Sequence, residues 1–186
     1  MKKIIAFSGS NSSTSINRQL LLYATKKLAT GSVEYVNLMD YNVAIYSEDL
    51  EKELGIPAKV FQLHELLSMA DGYMISIPEH NGLLPAFFKN IIDWLSRVNQ
   101  NVFNQKPVVL ISTSPGKNGG QSNLKILQDL FPRWGAQITS TFSLGNFYEN
   151  FDSEHGVLKN DRYEKKLEDA ITDFQNSINL TVPEFI

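Results

Sequence analysis

Five apolar runs alternating with amphipathic stretches set the rhythm of the chain. Ile4-Ile5-Ala6-Phe7 reads as a buried strand closed by Ser8. From Ile16, apolar Leu20, Ala24 and Leu28 recur every fourth residue, Leu21 widens the stripe, and Gly31 stands just past its end. That pattern is a helix packing one face on a sheet. Ser32 to Asn37 alternates as a second strand, and Leu38 to Leu50 reads as a long connection of mixed character.

Pro57 opens the next helix, which carries Val60, Leu63, Leu66, Leu67 and Met69 as far as Ala70. Gly72 to Ile77 is nearly continuous apolar, as expected of a strand covered on both faces, and Pro78 ends it. A helix from Pro85 runs through Trp94 to about Val98, a fourth strand covers Pro107 to Ser112, and a helix after Gly120 ends near Phe131 or Arg133. A shorter strand near Gln137 to Phe142 precedes an irregular stretch holding Gly145, Tyr148 and Gly156. The last helix begins at Asp161 with Glu164 as the partner of a capping box, and buries Tyr163, Leu167, Ile171, Phe174 and Ile178. Thr181 to Ile186 reads as a tail.

Strands alternating with helices imply a parallel sheet with right-handed crossovers, a doubly wound α/β domain. Of the two common orders, the five-stranded 2-1-3-4-5 arrangement with helices on both faces fits the element count, and its ligand site lies where strands 1 and 3 diverge. The loops after those strands should therefore be neighbours. A single domain over 1–180 accommodates the pattern, because 186 residues with 42% hydrophobic content suffice for one core.

Composition narrows the function. A net charge of -3 with no Lys/Arg-rich tract argues against nucleic acid as a partner. The absence of cysteine removes disulfides, thiolate nucleophiles and Cys-ligated metal, so redox chemistry must come from a bound cofactor. No signal-peptide core or membrane span is visible, which makes the cytoplasm the expected location. Neither H-E-x-x-H nor G-x-S-x-G occurs, so neither a metal site nor a hydrolase triad is expected.

The loop from Ser8 to Asn17, rich in Ser and Thr, joins the first strand to the first helix. Unpaired N–H groups and the helix dipole make such a junction a cradle for an anion. The same residue types also cap helices and form turns, but one cap needs only one of them. The loop ends in neither G-K-[ST] nor G-x-G-x-x-G, which points to a phosphate monoester over a triphosphate or dinucleotide. Three or four charge-assisted bonds give a gross contribution of about 5 to 10 kcal/mol, against about 8 kcal/mol for micromolar affinity after association costs. The rest of the ligand must be buried too. Pro78, Gly82 and Pro85 make the second loop a stiff platform for a planar ring, with the Asn81 and Gly82 N–H groups facing its edge. Gly116, Gly119 and Gly120 open the third loop in the same way, ahead of a helix N-terminus able to stabilise negative charge on a reduced ring. Tight turns are the alternative explanation for any one of these loops.

In its motifs the chain resembles the NADPH-dependent FMN reductase family of flavodoxin-like proteins. The family's G-S-x-R-x-x-S-x-N is met by Gly9, Ser10, Ser15 and Asn17, with Ser12 where the Arg is expected. Its P-E-Y-N-G-S-x-P-G-x-L-K-N-x-x-D-W is met by Pro78, Glu79, Asn81, Gly82, Pro85, Lys89, Asn90, Asp93 and Trp94, while His80, Leu83, Ala86 and Phe88 depart. Ser114, Pro115, Gly116, Gly119 and Gly120 match S-P-G-x-x-G-G.

The resemblance implies FMN, its phosphate in the first loop (Ser8, Ser10, Ser12, Ser15, Ile16, Asn17), its ring against Pro78, Glu79, His80, Asn81 and Gly82, and its pyrimidine edge at Ser114, Pro115, Gly116 and Gly119. Ser10, Ser15 and Asn17 are the side chains expected on the phosphate, and His80 lines the pocket in place of the family Tyr. NADPH or NADH would serve as transient donor, with ping-pong transfer to a flavin, quinone, azo or similar small-molecule acceptor. The flavin carries the chemistry, so no catalytic side chain is required. Ser12 in place of Arg implies weaker FMN retention or a weaker NADPH preference. The alternative is a non-enzymatic FMN electron carrier, which would usually be more acidic and shield its ring with aromatics. Lys89 and Asp93 read as a structural i,i+4 pair. The apolar arc of the helix after Pro85 is wide enough to suggest burial between subunits, in keeping with a homodimer or homotetramer.

Overall fold

The computed structural model describes residues 1–29 and 31–180; the expected tail at Thr181 to Ile186 lies outside them. Strands β1 (Lys3–Ser8), β2 (Ser32–Val36), β3 (Gly72–Ser76), β4 (Lys106–Thr113) and β5 (Ala136–Leu144) form a parallel sheet in the order β2-β1-β3-β4-β5. Helices α1 (Ile16–Thr25), α2 (Glu48–Leu54), α3 (Ala58–Ser68), α4 (Ala86–Val98), α5 (Gln121–Leu130), α6 (Phe147–Asn150) and α7 (Asp161–Leu180) connect and cover it. A small antiparallel hairpin, β6 (Phe151–Asp152) with β7 (Val157–Leu158), precedes α7. The expected flavodoxin-like order is the observed one.

Alternation along β1 divides the core. Ile5 and Phe7 pack with α3, α4 and α5, whereas Ile4 and Ala6 pack with α1 and α7. On the first side Phe131 stacks between Phe88 and Phe103, at centroid distances of 6.2 and 5.0 Å. Because β3 is buried at every position, its sequence shows a continuous apolar run rather than alternation.

Three expectations change. The connection after β2 contains α2, capped by Ser47 Oγ on the Leu50 N–H at 3.1 Å and carrying Glu48, Asp49 and Glu51 in its first turn. It buries no residue, so no apolar stripe reveals it. At α7 the cap is Asn160, whose Oδ1 accepts the N–H groups of Arg162 and Tyr163 at 3.1 and 3.4 Å. Glu164 is no capping-box partner: it accepts the Tyr23 hydroxyl at 2.6 Å and pairs with Lys27, tying α7 to α1.

The wide apolar arc of α4 is covered within the chain. Ile91 and Trp94 are buried, and the segment 42–46 lies over them. Trp94 Nε1 donates to Ala44 O at 2.8 Å, and Asn90 holds Val43 O, Ala44 O and the Tyr46 N–H. The arc therefore gives no argument for a subunit interface. Lys89 and Asp93 form the expected pair, with Nζ to Oδ1 at 2.5 Å.

Candidate functional site

The loops after β1, β3 and β4 and the short helix α6 surround a cavity of about 300 Å³ at the C-terminal edge of the sheet. Its walls include Ser10, Ser12, Ser15, Ile16 and Asn17 from the first loop, Pro78, Glu79 and His80 from the second, and Ser114 and Pro115 from the third. Ser8 sits buried beneath the first loop, and Asn81, Gly82, Gly116 and Gly119 lie outside the lining. Thr14, Thr113 and Tyr148 complete the wall and were not singled out as site residues from the sequence. A larger groove of about 470 Å³ over β5, between α5 and α7, shares none of these residues.

The first loop is organised by its own hydroxyls. Ser8 Oγ accepts the Ser10 N–H at 3.4 Å, Ser10 Oγ that of Ser12 at 3.2 Å, and Ser12 Oγ that of Thr14 at 3.3 Å. Ser15 Oγ then caps α1 on the Arg18 N–H at 3.2 Å. This relay leaves the N–H groups of Asn11, Ser13, Ser15, Ile16 and Asn17 without an acceptor among the described residues. No acidic residue stands in the first turn of α1 to compete for its positive end. Arg18 reaches back to donate to Ser13 O, fastening the loop from outside the cavity.

The Asn17 side chain has a different task from the one expected. Buried to 2% exposure, it donates from Nδ2 to Thr113 O at 2.9 Å and accepts the Thr113 N–H at 3.0 Å, while Ser76 Oγ donates to Asn17 O at 2.9 Å. One amide thus joins the start of α1 to the ends of β3 and β4. Its backbone N–H has no acceptor among the described residues. The Ser15 hydroxyl accepts at the cap but keeps its own proton to donate.

The second loop is a tight reversal: His80 and Leu83 exchange backbone hydrogen bonds of 2.8 and 3.0 Å across Asn81 and Gly82, both in the left-handed region. The turn tip projects Asn81 away from the lining and leaves His80 at the wall. In the third loop Gly116 O accepts from Gly119 N and Asn146 N, and Ser114 O accepts from Phe147 N, which fixes α6 and brings exposed Tyr148 to the cavity. Gly119 and Gly120 face inward: a Cβ at Gly119 would stand 2.4 Å from Ser143 Oγ, and one at Gly120 2.0 Å from Ser112 Oγ. Their glycine requirement is met by packing and positive φ, so it is not a mark of ligand approach. Nor is the α5 N-terminus free to receive charge. Glu79 Oε2 accepts the Asn123 N–H there at 3.1 Å.

A neutral donor set of hydroxyls and N–H groups at a helix N-terminus suits a phosphate monoester, and the adjoining Pro78 to His80 wall suits the flat remainder of FMN. Fold and cleft together define a flavodoxin-like α/β protein with a hydroxyl-lined cleft at its switch point. Residues 2–149 match the family described as NADPH-dependent FMN reductase, and the chain belongs to it, as an oxidoreductase that uses FMN and takes electrons from NAD(P)H. An uncharacterised Mycoplasma pneumoniae protein is 33% identical over 147 residues, 76% of this chain and 86% of that one. An Escherichia coli quinone reductase is 39% identical over 95 residues, half of each chain. Among solved structures, FerB, a flavoenzyme NAD(P)H:(acceptor) oxidoreductase from Paracoccus denitrificans, is similar at a TM-score of 0.75 and 26% identity, covering 96% of this chain and 98% of its own.

Proposed function

We propose that the cleft holds FMN and that the chain works as an NAD(P)H:quinone-type oxidoreductase within one domain over 1–180. Bound FMN supplies two-electron chemistry, hydride uptake from a nicotinamide and delivery to a small acceptor. The hydroxyls of Ser10, Ser12, Thr14 and Ser15, with the free N–H groups of the first loop and the start of α1, hold the phosphate. Pro78, Glu79 and His80 form one wall for the ring, Ser114, Pro115 and Tyr148 the other. Asn17 and Thr113 keep the walls in register. These side chains bind and orient; none is assigned a proton-transfer role.

The observation that carries this reading is the set of unpaired N–H groups at the start of α1, facing a cavity whose other wall is the Pro78 to His80 loop. Support for a quinone acceptor comes from the named activity of the E. coli relative. Family membership favours an enzyme over the electron carrier. Since one cleft serves both substrates, the donor leaves before the acceptor enters. Initial velocities measured against NADH or NADPH at several benzoquinone concentrations should give parallel double-reciprocal lines. Intersecting lines without a dead-end complex contradict the order.

A homo-oligomer stays part of the proposal: Ile45 ahead of α2 and Leu54 at its end, 84% and 72% exposed, are apolar side chains that a second subunit would cover. Light scattering that shows a monomer at micromolar concentration would overturn it. No helix among the described residues is long and apolar enough to cross a membrane, and the proposal keeps the protein cytoplasmic.

A further inference from the structure

Glu79 lines the cleft, yet its carboxylate is held in place by a residue far along the chain. Oε2 accepts the Asn123 N–H at 3.1 Å, and Asn123 Nδ2 donates to Pro78 O at 3.1 Å. Asn123 is fully buried, so these two bonds, both donated by Asn123, fix the loop after β3 to the first turn of α5. The first turn of α5 has no acidic residue of its own. Its N-terminus would present about half a positive charge, and the full negative charge of Glu79 more than cancels it. At this wall the Glu79 carboxylate therefore offsets the positive helix end that the glycine loop alone implied.

We propose that Glu79 sets the electron-giving power of this cleft: its clasped carboxylate opposes the build-up of negative charge on FMN bound beside it and lowers the cofactor's two-electron potential. The inference rests on the flavin reading above. Charge near the ring is one of the means by which a protein tunes a bound flavin, and its effect grows where the ring is shielded from water. A lowered potential favours passing electrons on to an acceptor over retaining them. Asn123 acts as a positioning residue, because it holds the carboxylate at the wall and carries no charge itself.

The test compares FMN-loaded wild type with Glu79→Gln by spectroelectrochemical titration, alongside FMN dissociation constants from flavin fluorescence. Glutamine keeps a carbonyl oxygen for the Asn123 N–H, so the charge is lost and the clasp retained. The expected result is an upward shift of about 30 mV, tenfold in the two-electron equilibrium, while the dissociation constant of oxidised FMN reports separately any loss of contact at the ring wall. Glu79→Ala repeats the charge loss should the amide disturb the loop, and shifts the potential the same way. Glu79→Asp keeps the charge and stays on the wild-type side. Equal potentials in wild type and both neutral variants, or an Asp variant displaced as far as Gln, would overturn the role of the charge. Wild-type protein that takes up no FMN would instead refute the cofactor reading itself.

Discussion

Asn17 and Thr113 exchange two hydrogen bonds, Nδ2 to Thr113 O at 2.9 Å and Thr113 N to Oδ1 at 3.0 Å, so a side-chain amide replaces a backbone partner at the buried end of β4. Asn17→Ala strands a buried N–H and a buried carbonyl. Each such group costs about 1–3 kcal/mol, and the expected loss is roughly 2–4 kcal/mol in urea denaturation. FMN affinity should fall as well, because the first and third loops lose their common anchor. A variant as stable as wild type would show that the pair contributes little.

Gly116 and Gly119 belong to one motif but have opposite surroundings. A Cβ at Gly116 meets nothing within 4 Å and its φ is ordinary, whereas one at Gly119, at φ +59°, would stand 2.4 Å from Ser143 Oγ and 2.7 Å from Gly145 N. Gly116→Ala should change stability by no more than about 0.5 kcal/mol. Any FMN affinity it loses then reports cofactor contact at that loop. Gly119→Ala should cost about 2–4 kcal/mol through left-handed strain and overpacking. Thermal melts of the two variants, with FMN titrations of the first, separate the two roles.

Asp71 ties β3 to β1 below the sheet, accepting the Lys3 N–H at 2.8 Å and facing Lys2 Nζ at 3.4 Å. Burial raises its pKa, but the Lys3 N–H and the Lys2 and Lys106 ammonium groups outweigh that and hold the carboxyl below the ordinary aspartate range. A depressed carboxylate stabilises the fold above its unfolded pKa, near 3.9, and the contribution is lost as pH falls through the lower folded value. Asp71→Asn should therefore be less stable than wild type at pH 7, and the difference should shrink below about pH 4. Urea midpoints from pH 3 to 7 check this; a constant difference across the range contradicts it.

The central strands were legible because burial on both faces writes a strand as an unbroken apolar run, as in Gly72 to Ile77, while the edge strand β2 showed only alternation. Their order followed from element count and the handedness of crossovers. The helix Glu48–Leu54 was not legible, since a surface helix that buries nothing leaves no periodic trace. At the site, Ser, Pro and Gly marked the right loops by their turn chemistry, but which groups face the cavity depends on distant pairings. Asn17 meets a partner 96 residues away and Glu79 one 44 residues away, and both assignments shift once those partners are known. Tyr148 carried no local signal: it reaches the wall because Phe147 N binds Ser114 O.

That the first loop grips a terminal phosphate is tested most directly by comparing FMN with riboflavin. The two differ at that group alone, and each is titrated into cofactor-free protein by flavin fluorescence. If the free N–H groups and hydroxyls between Ser10 and Asn17 hold the phosphate, two charge-assisted bonds at about 1.5 kcal/mol each make FMN bind roughly a hundredfold more tightly. Equal affinity for FMN and riboflavin, or no binding of either, would contradict it.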